Sequence, residues 1–303
     1  MRKSANLNHS RFFLSPQSKV QKTFLLLFQT NVMEHKKIVI TGGSRGIGRA
    51  LALKFAKQGA HIAILAKTID PHPKLEGTLM TVAEEIIELG GHAYPMQLDV
   101  REEDNIKVVI DRVAEMMDGI DILINNASAI SLTNTEMTSS KRFDLMFDIN
   151  VRGTFLVTQA CLPYLNNGNN PHILTLSPPL NMDPKWFGMH VAYTISKYNM
   201  SMLTMGWAEE FKEYGVAANA LWPKTLIATA AIENLPGGEH LVKMARKADI
   251  IADAAQIILK KDCKQFSGNF VIDEELLVSE GFSDLKKYNA VEGVEPMKDL
   301  FLD

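Results

Sequence analysis

Cysteine is scarce: 303 residues contain only Cys161 and Cys263. Two thiols cannot make a disulfide framework, so both read as small buried hydrophobes in a reducing compartment. No long apolar run marks a membrane span; Phe24-Leu25-Leu26-Leu27-Phe28 is too short to cross a bilayer and short for a secretory core. The eight histidines are scattered without any metal-ligand spacing, so no metal is expected. A formal net charge of -3 carries no basic excess, which argues against a nucleic-acid partner. Acids are also missing from the start of the chain. Arg2, Lys3, Arg11, Lys19 and Lys22 all precede the first one, Glu34. This basic leader, residues 1–33, reads either as a mitochondrial-type targeting segment or as a disordered extension with Met33 as the effective start of the domain.

What is present has ordinary globular proportions, 46% hydrophobic and 22% charged. From Lys36 onward, short apolar runs alternate with longer helical patterns. Strands are expected at 36–40, 61–66, 93–98, 121–124, 172–176, 216–221 and 269–272. Helices are expected at 46–58, 75–89, 103–117, 150–165 and 191–214. Near-continuous apolar strands alternating with helices specify α/β architecture: one doubly wound parallel sheet with helices on both faces, over residues 34–282. Residues 224–247, with Pro236-Gly237-Gly238 inside, lack a clean period and follow a strand end, as a lid would. Residues 283–303 read as a loosely attached tail.

The first strand runs into Thr41-Gly42-Gly43-Ser44-Arg45-Gly46-Ile47-Gly48 and then a helix. Glycines let the main chain approach a pyrophosphate closely, and the helix N-terminus offers unpaired N–H groups to the anion. A tight strand–helix turn would need glycine too, but its place on the first strand of the alternation favours dinucleotide binding. The second strand, His61 to Ala66, ends without the acid that holds the ribose of NAD, and Lys67 follows it. Arg45 and Lys67 would together suit the 2′-phosphate of NADP; the alternative is that both are solvated surface cations.

At Tyr193-Thr194-Ile195-Ser196-Lys197 a phenol and an ammonium stand four residues apart, on one helix face. A free phenol, with a pKa of about 10, is a poor acid–base group near neutrality; an adjacent cation would lower that value. Taken alone, the spacing is also that of an aromatic–aliphatic packing pair.

Taken in order, Thr41 to Gly48, Asn125-Asn126-Ala127, Asn150 and Tyr193 to Lys197 resemble the short-chain dehydrogenase/reductase family over about residues 36–273. Within it, residues 125–135, 177–180, 192–195 and 219–225 resemble a subgroup whose members carry a C-terminal sterol-carrier domain. Too few residues follow 282 to hold one, so a lipid-transfer role is not carried over from the resemblance. The resemblance implies a Rossmann-type sheet of about seven strands, a homo-oligomer, and a mitochondrial or peroxisomal setting. It also implies a carbonyl or secondary alcohol substrate, steroid or other lipid in character.

It further implies roles. Tyr193 would exchange the proton with the substrate oxygen, and Lys197 would lower the Tyr193 pKa and hold the nicotinamide ribose. Ser177 would hydrogen-bond the reacting oxygen. Asn150 would anchor a water relay to Lys197, unless it is only a helix-start cap. Asp99 would lie near the adenine and Asn126 near the adenosine ribose. Two departures from the family pattern stand out. Ser177 lies sixteen residues before Tyr193, further than usual, with Pro178-Pro179 after it and Trp186 and Phe187 in the insertion. Pro223-Lys224 replaces Pro-Gly, which leaves Lys224 to meet substrate, phosphate or water. Met182, Trp186, Phe187 and Met189 either line an apolar pocket or pack internally. These departures keep a second reading open, an NADP(H)-binding redox sensor or scaffold with little turnover. A nucleoside-sugar epimerase is disfavoured by the short chain.

Overall fold

The computed structural model describes residues 33–70 and 77–303. The leader read at 1–33 thus lies outside the described residues except for Met33, and so do the first two residues of the helix expected at 75–89. Met33 itself is fully buried in the main core. That makes it a structural residue of the domain.

The chain builds β1 (Lys37–Thr41), α1 (Gly46–Ala56), β2 (His61–Ala66), α2 (Leu79–Glu88), β3 (His92–Gln97) and α3 (Glu103–Met117). It continues with β4 (Ile122–Asn125), α4 (Ser140–Met146), a π-helical segment (Phe147–Gly153), α5 (Thr154–Leu165) and β5 (His172–Thr175). Then follow α6 (Pro184–Gly188), α7 (Val191–Glu210), β6 (Ala217–Trp222), α8 (Ala230–Glu233) and α9 (Gly238–Lys243). The order closes with α10 (Asp249–Lys260), β7 (Phe270–Ile272), α11 (Asp273–Ser279) and a 3-10 turn (Lys286–Tyr288).

All seven strands pair in parallel, in the order β3-β2-β1-β4-β5-β6-β7. Strand alternation divides the core between the two faces. On β1, Ile38 and Ile40 face Leu51 and Phe55 of α1 and Ile251 and Ile258 of α10, while Val39 faces the α3, α5 and α7 layer. The direction of winding reverses between β1 and β4. In such sheets the crevice outside the strand carboxyl ends at that reversal is where ligands settle. The end of β1 and the end of β4 meet there.

Two differences from the sequence reading matter for the site. First, α10 was not expected, although Ile250, Ile251, Ala254, Ala255, Ile258 and Leu259 repeat at helical spacing and are all buried. Second, the 283–303 segment is not loosely attached. Tyr288, Phe301 and Leu302 are buried, and Trp222 Nε1 donates to the Leu300 carbonyl at 3.1 Å. Its apolar residues, sparse and aperiodic, find a partner in the aromatic cluster formed around Trp222 and Tyr193. No described helix is long and apolar enough to cross a membrane.

Candidate active site

A cavity of about 510 Å³ opens at the winding reversal. One end is walled by Gly42, Ser44, Arg45, Gly46 and Ile47, with Lys67, Asp99 and Asn126 beside them. The other end is walled by Leu176, Tyr193, Lys197, Trp222 and Asp299, and Thr229 to Ile232 overhang from the lid segment. Of the residues singled out in the sequence, Gly43, Gly48, Asn150 and Ser177 stand behind this wall.

The glycine turn is held open by its neighbours. Asn126 Nδ2 donates to the carbonyls of Thr41 (2.9 Å) and Gly42 (3.0 Å), while Thr41 Oγ1 accepts from the N–H groups of Asn126 and Ala127. Gly42 has φ +66, a left-handed conformation that favours glycine. A Cβ on Gly48 would sit 2.3 Å from the Gly42 carbonyl oxygen, so only glycine lets α1 start this close to the turn. Asn126 thus braces the turn from below as well as lining the cleft.

At the same end, Arg45 Nη2 donates to the Gly77 carbonyl at 2.9 Å, while Nη1 is buried without a partner among the described residues. Burial also holds the Arg45 pKa below its ordinary value. Lys67 is exposed on the cavity rim, and Asp99 is already paired with Arg101 (Nε–Oδ1 2.9 Å), which lowers the carboxyl pKa. A glycine cradle and a guanidinium nitrogen lacking its acceptor fit a phosphorylated dinucleotide.

At the other end, Tyr193 and Lys197 share one face of α7 and are both buried. Lys197 Nζ donates to the Leu176 carbonyl at 2.6 Å, lies 3.3 Å from Met200 Sδ and stands over the Trp222 ring. Burial pushes its pKa down to about 7, with Asp299 opposing. The Tyr193 phenol is pushed up, by burial first and by Asp299 second. This departs from the expectation that Lys197 lowers it. Burial lowers the Lys197 pKa too, so the amine is only partly protonated near neutrality and offsets little of the cost of burying a phenolate.

Ser177 Oγ is fully buried and has no hydrogen-bond partner. Such a hydroxyl costs roughly 1–3 kcal/mol. The Asn150 side chain is fully engaged with its neighbours. Its Oδ1 accepts from Ala129 N (2.7 Å) and Ser128 Oγ, and its Nδ2 donates to Ala129 O and Ser196 Oγ (2.9 Å). Every donor and acceptor of the amide is used, so this side chain clamps the loop after β4 to α7 and makes no link to Lys197.

Lys224 does not face the cavity. Its N–H donates to Asp273 Oδ1 (2.7 Å) and its Nζ to Glu275 (2.6 Å), which fastens the loop after β6 to α11. Trp186 and Phe187 are half-buried against Phe301 and Tyr198, whereas Met182 and Met189 are exposed. The insertion therefore packs more than it lines. Asp299 had no signal in the sequence, being one acid in an aperiodic segment.

Residues 36–237 match the short chain dehydrogenase family model, and the chain belongs to that family. Its similarity is high to hydroxysteroid dehydrogenase-like protein 2, the subgroup that residues 125–135 and 219–225 resemble. The Homo sapiens protein is 54% identical over 266 residues, 88% of this chain and 63% of its own length. The Danio rerio protein is 51% identical over 278 residues, 92% of this chain and 66% of its own. The chain thus spans slightly less than two thirds of these relatives. Among solved structures, a short chain dehydrogenase homologue from Mycobacterium thermoresistibile is 45% identical at a TM-score of 0.85, covering 89% of this chain and 96% of its own.

Proposed function

We propose that the chain is an NADP(H)-dependent oxidoreductase that interconverts a carbonyl and a secondary alcohol on a neutral, lipid-like substrate. The observation that carries this is a single cavity wall shared by the glycine turn and the Tyr193–Lys197 pair. NADP is favoured over NAD by the unpartnered Arg45 nitrogen, the Lys67 rim cation and the missing acid after β2.

A bound nicotinamide cofactor would supply or take the hydride. The protein manages the proton and the geometry. In reduction, Tyr193 Oη hands its proton to the substrate oxygen as negative charge develops there, and in oxidation it takes the proton back. Ser177 Oγ, buried behind the cavity wall without a partner among the described residues, would donate to the same oxygen once the wall gives access to it. Lys197, with Leu176 O fixing Nζ, would hold the nicotinamide ribose and, in its protonated form, favour the phenolate. The lid segment carrying Thr229 to Ile232 closes over the cleft and excludes water.

NADPH absorbance with a panel of ketones and alcohols tests the reading, alongside NADPH binding by fluorescence. The wild type should turn over, and Tyr193→Phe should lose at least a thousandfold in rate while still binding NADPH. Full activity in that variant defeats the assignment.

The altered loop after Ser177 and the Pro223-Lys224 step keep open a second reading, an NADP(H)-binding sensor or scaffold with little turnover. Tight coenzyme binding without turnover on broad panels would establish it. Both readings include a homo-oligomer. Leu145 on α4, Phe155 on α5, and Met202 and Met205 on α7 are exposed apolar groups that a second copy would cover. Light scattering should give a dimer or tetramer mass.

A further inference from the structure

The catalytic end of the cleft is bounded by residues 297–303, which cross it as a strap. Leu226 N donates to Met297 O (2.9 Å) and Met297 N to Met244 O (2.8 Å), so the strap is laced to both ends of the lid segment. Asp299 N donates to Lys224 O (3.1 Å). Further along, Phe301 is buried against Tyr193, Tyr198, Trp186 and Trp222. The strap ends on the 181–185 loop, where Asp303 meets Lys185 Nζ (2.6 Å) and Asn181 Nδ2 (3.0 Å). These anchors hold Asp299 in the cavity wall beside Tyr193 and Lys197.

Its carboxyl is only partly used. Oδ1 accepts from Leu300 N at 2.7 Å, and Oδ2 has no donor among the described residues. The other charged groups on the cavity wall, Arg45, Lys67 and Asp99, belong to the nucleotide end. Among the described residues, only Lys197 and Asp299 carry charge in the wall of the catalytic end, and Lys197 Nζ is already committed to Leu176 O, Met200 Sδ and the Trp222 face. An arriving substrate therefore meets an uncommitted acceptor and no uncommitted cation.

We propose that Asp299 is a specificity-determining residue: placed by the strap beside Tyr193 and Lys197, its carboxylate rejects substrates with an anionic group near the reacting carbon and admits neutral ones. The proposal rests on the reading of the cleft as a carbonyl site. Two like charges a few ångströms apart, away from bulk water, repel strongly enough to change affinity tenfold or more. Burial raises the Asp299 pKa to about 7, so the discrimination is fullest in mildly alkaline solution.

The test is binding, which needs no turnover. Methyl 3-oxodecanoate and 3-oxodecanoate carry the same ketone, without and with a charge two carbons away, respectively. Their dissociation constants are measured at pH 8 by tryptophan quenching with NADP saturating, for wild type, Asp299→Asn and Asp299→Glu. Wild type should bind the ester at least tenfold more tightly than the acid. Asp299→Asn, which keeps the acceptor for Leu300 N, should shrink that ratio about tenfold with ester and NADP affinities little changed. Asp299→Glu should restore it. If Asp299→Asn does not fold, Asp299→Ser is expected to show the same lost ratio. An unchanged ratio in variants that bind the ester overturns the role of Asp299 and leaves the cleft reading intact. Binding of neither ligand by the NADP-loaded wild type overturns both.

Discussion

Gly48 and Ser177 each break an ordinary rule of a folded interior, and the break locates function. With a Cβ at Gly48 only 2.3 Å from the Gly42 carbonyl oxygen, Gly48→Ala must push α1 away from the turn. NADPH affinity should fall at least tenfold by fluorescence titration, because turn N–H groups and helix N-terminus no longer converge on one phosphate. Retained affinity would show that the turn tolerates being opened. Ser177 offers the opposite sign for stability. Its buried hydroxyl lacks a partner, so Ser177→Ala removes an unsatisfied group and should leave stability unchanged or raised by about 1 kcal/mol. The same change should lower turnover roughly a hundredfold, the scale of losing one donor to a developing oxyanion. Denaturant melts and initial rates on one preparation check both halves; a destabilised, fully active variant would contradict them. Gly48 was readable from its motif, and so were Tyr193 and Lys197. The state of Ser177 was not, because a missing partner exists only in three dimensions.

Among the elements, legibility followed periodicity. The sheet strands were readable because each is a short apolar run between turn signals, and β1, β2, β4, β5 and β6 prove almost wholly buried. α10 escaped although its apolar pairs recur at four-residue steps, because it follows directly on an aperiodic lid. Asn150 was expected in an α-helix. It lies instead in a π-helical segment, Phe147–Gly153, a local widening that apolar period does not encode. The strap was the largest misreading. Its charged and small residues look like a tail until Phe301 is seen among four other aromatic rings. Such an aromatic anchor is worth more than the backbone bonds around it. Phe301→Ala should cost about 3–5 kcal/mol if the strap unfolds with the rest of the domain, read as a lower urea midpoint. A midpoint unchanged within error would mean that the strap detaches independently.

At the scale of the whole molecule, acid stability turns on a histidine far from the cleft. His172 begins β5 in the core, with Nε2 toward Lys261 O (3.1 Å) and Nδ1 buried without a partner. Burial pushes its pKa down to about 4 from an ordinary 6.5. The folded protein thus keeps this ring neutral, while the unfolded chain takes up a proton near 6.5. Stability that is present above that value is lost as pH falls toward 4, by about 3 kcal/mol at the limit. Melting temperature against pH should show this slope, flattened in His172→Gln; an identical slope in the variant would assign the acid sensitivity elsewhere. The cleft, by contrast, is unevenly prepared for occupancy. The glycine end is braced by Asn126 and Thr41, whereas α8 buries no side chain and α9 only Gly238. Thr229, just before α8, lies against Gly46, so the coenzyme end is rigid below and loosely roofed above, and filling it must order that roof. Release of the coenzyme should therefore be paced by how fast those short helices let go.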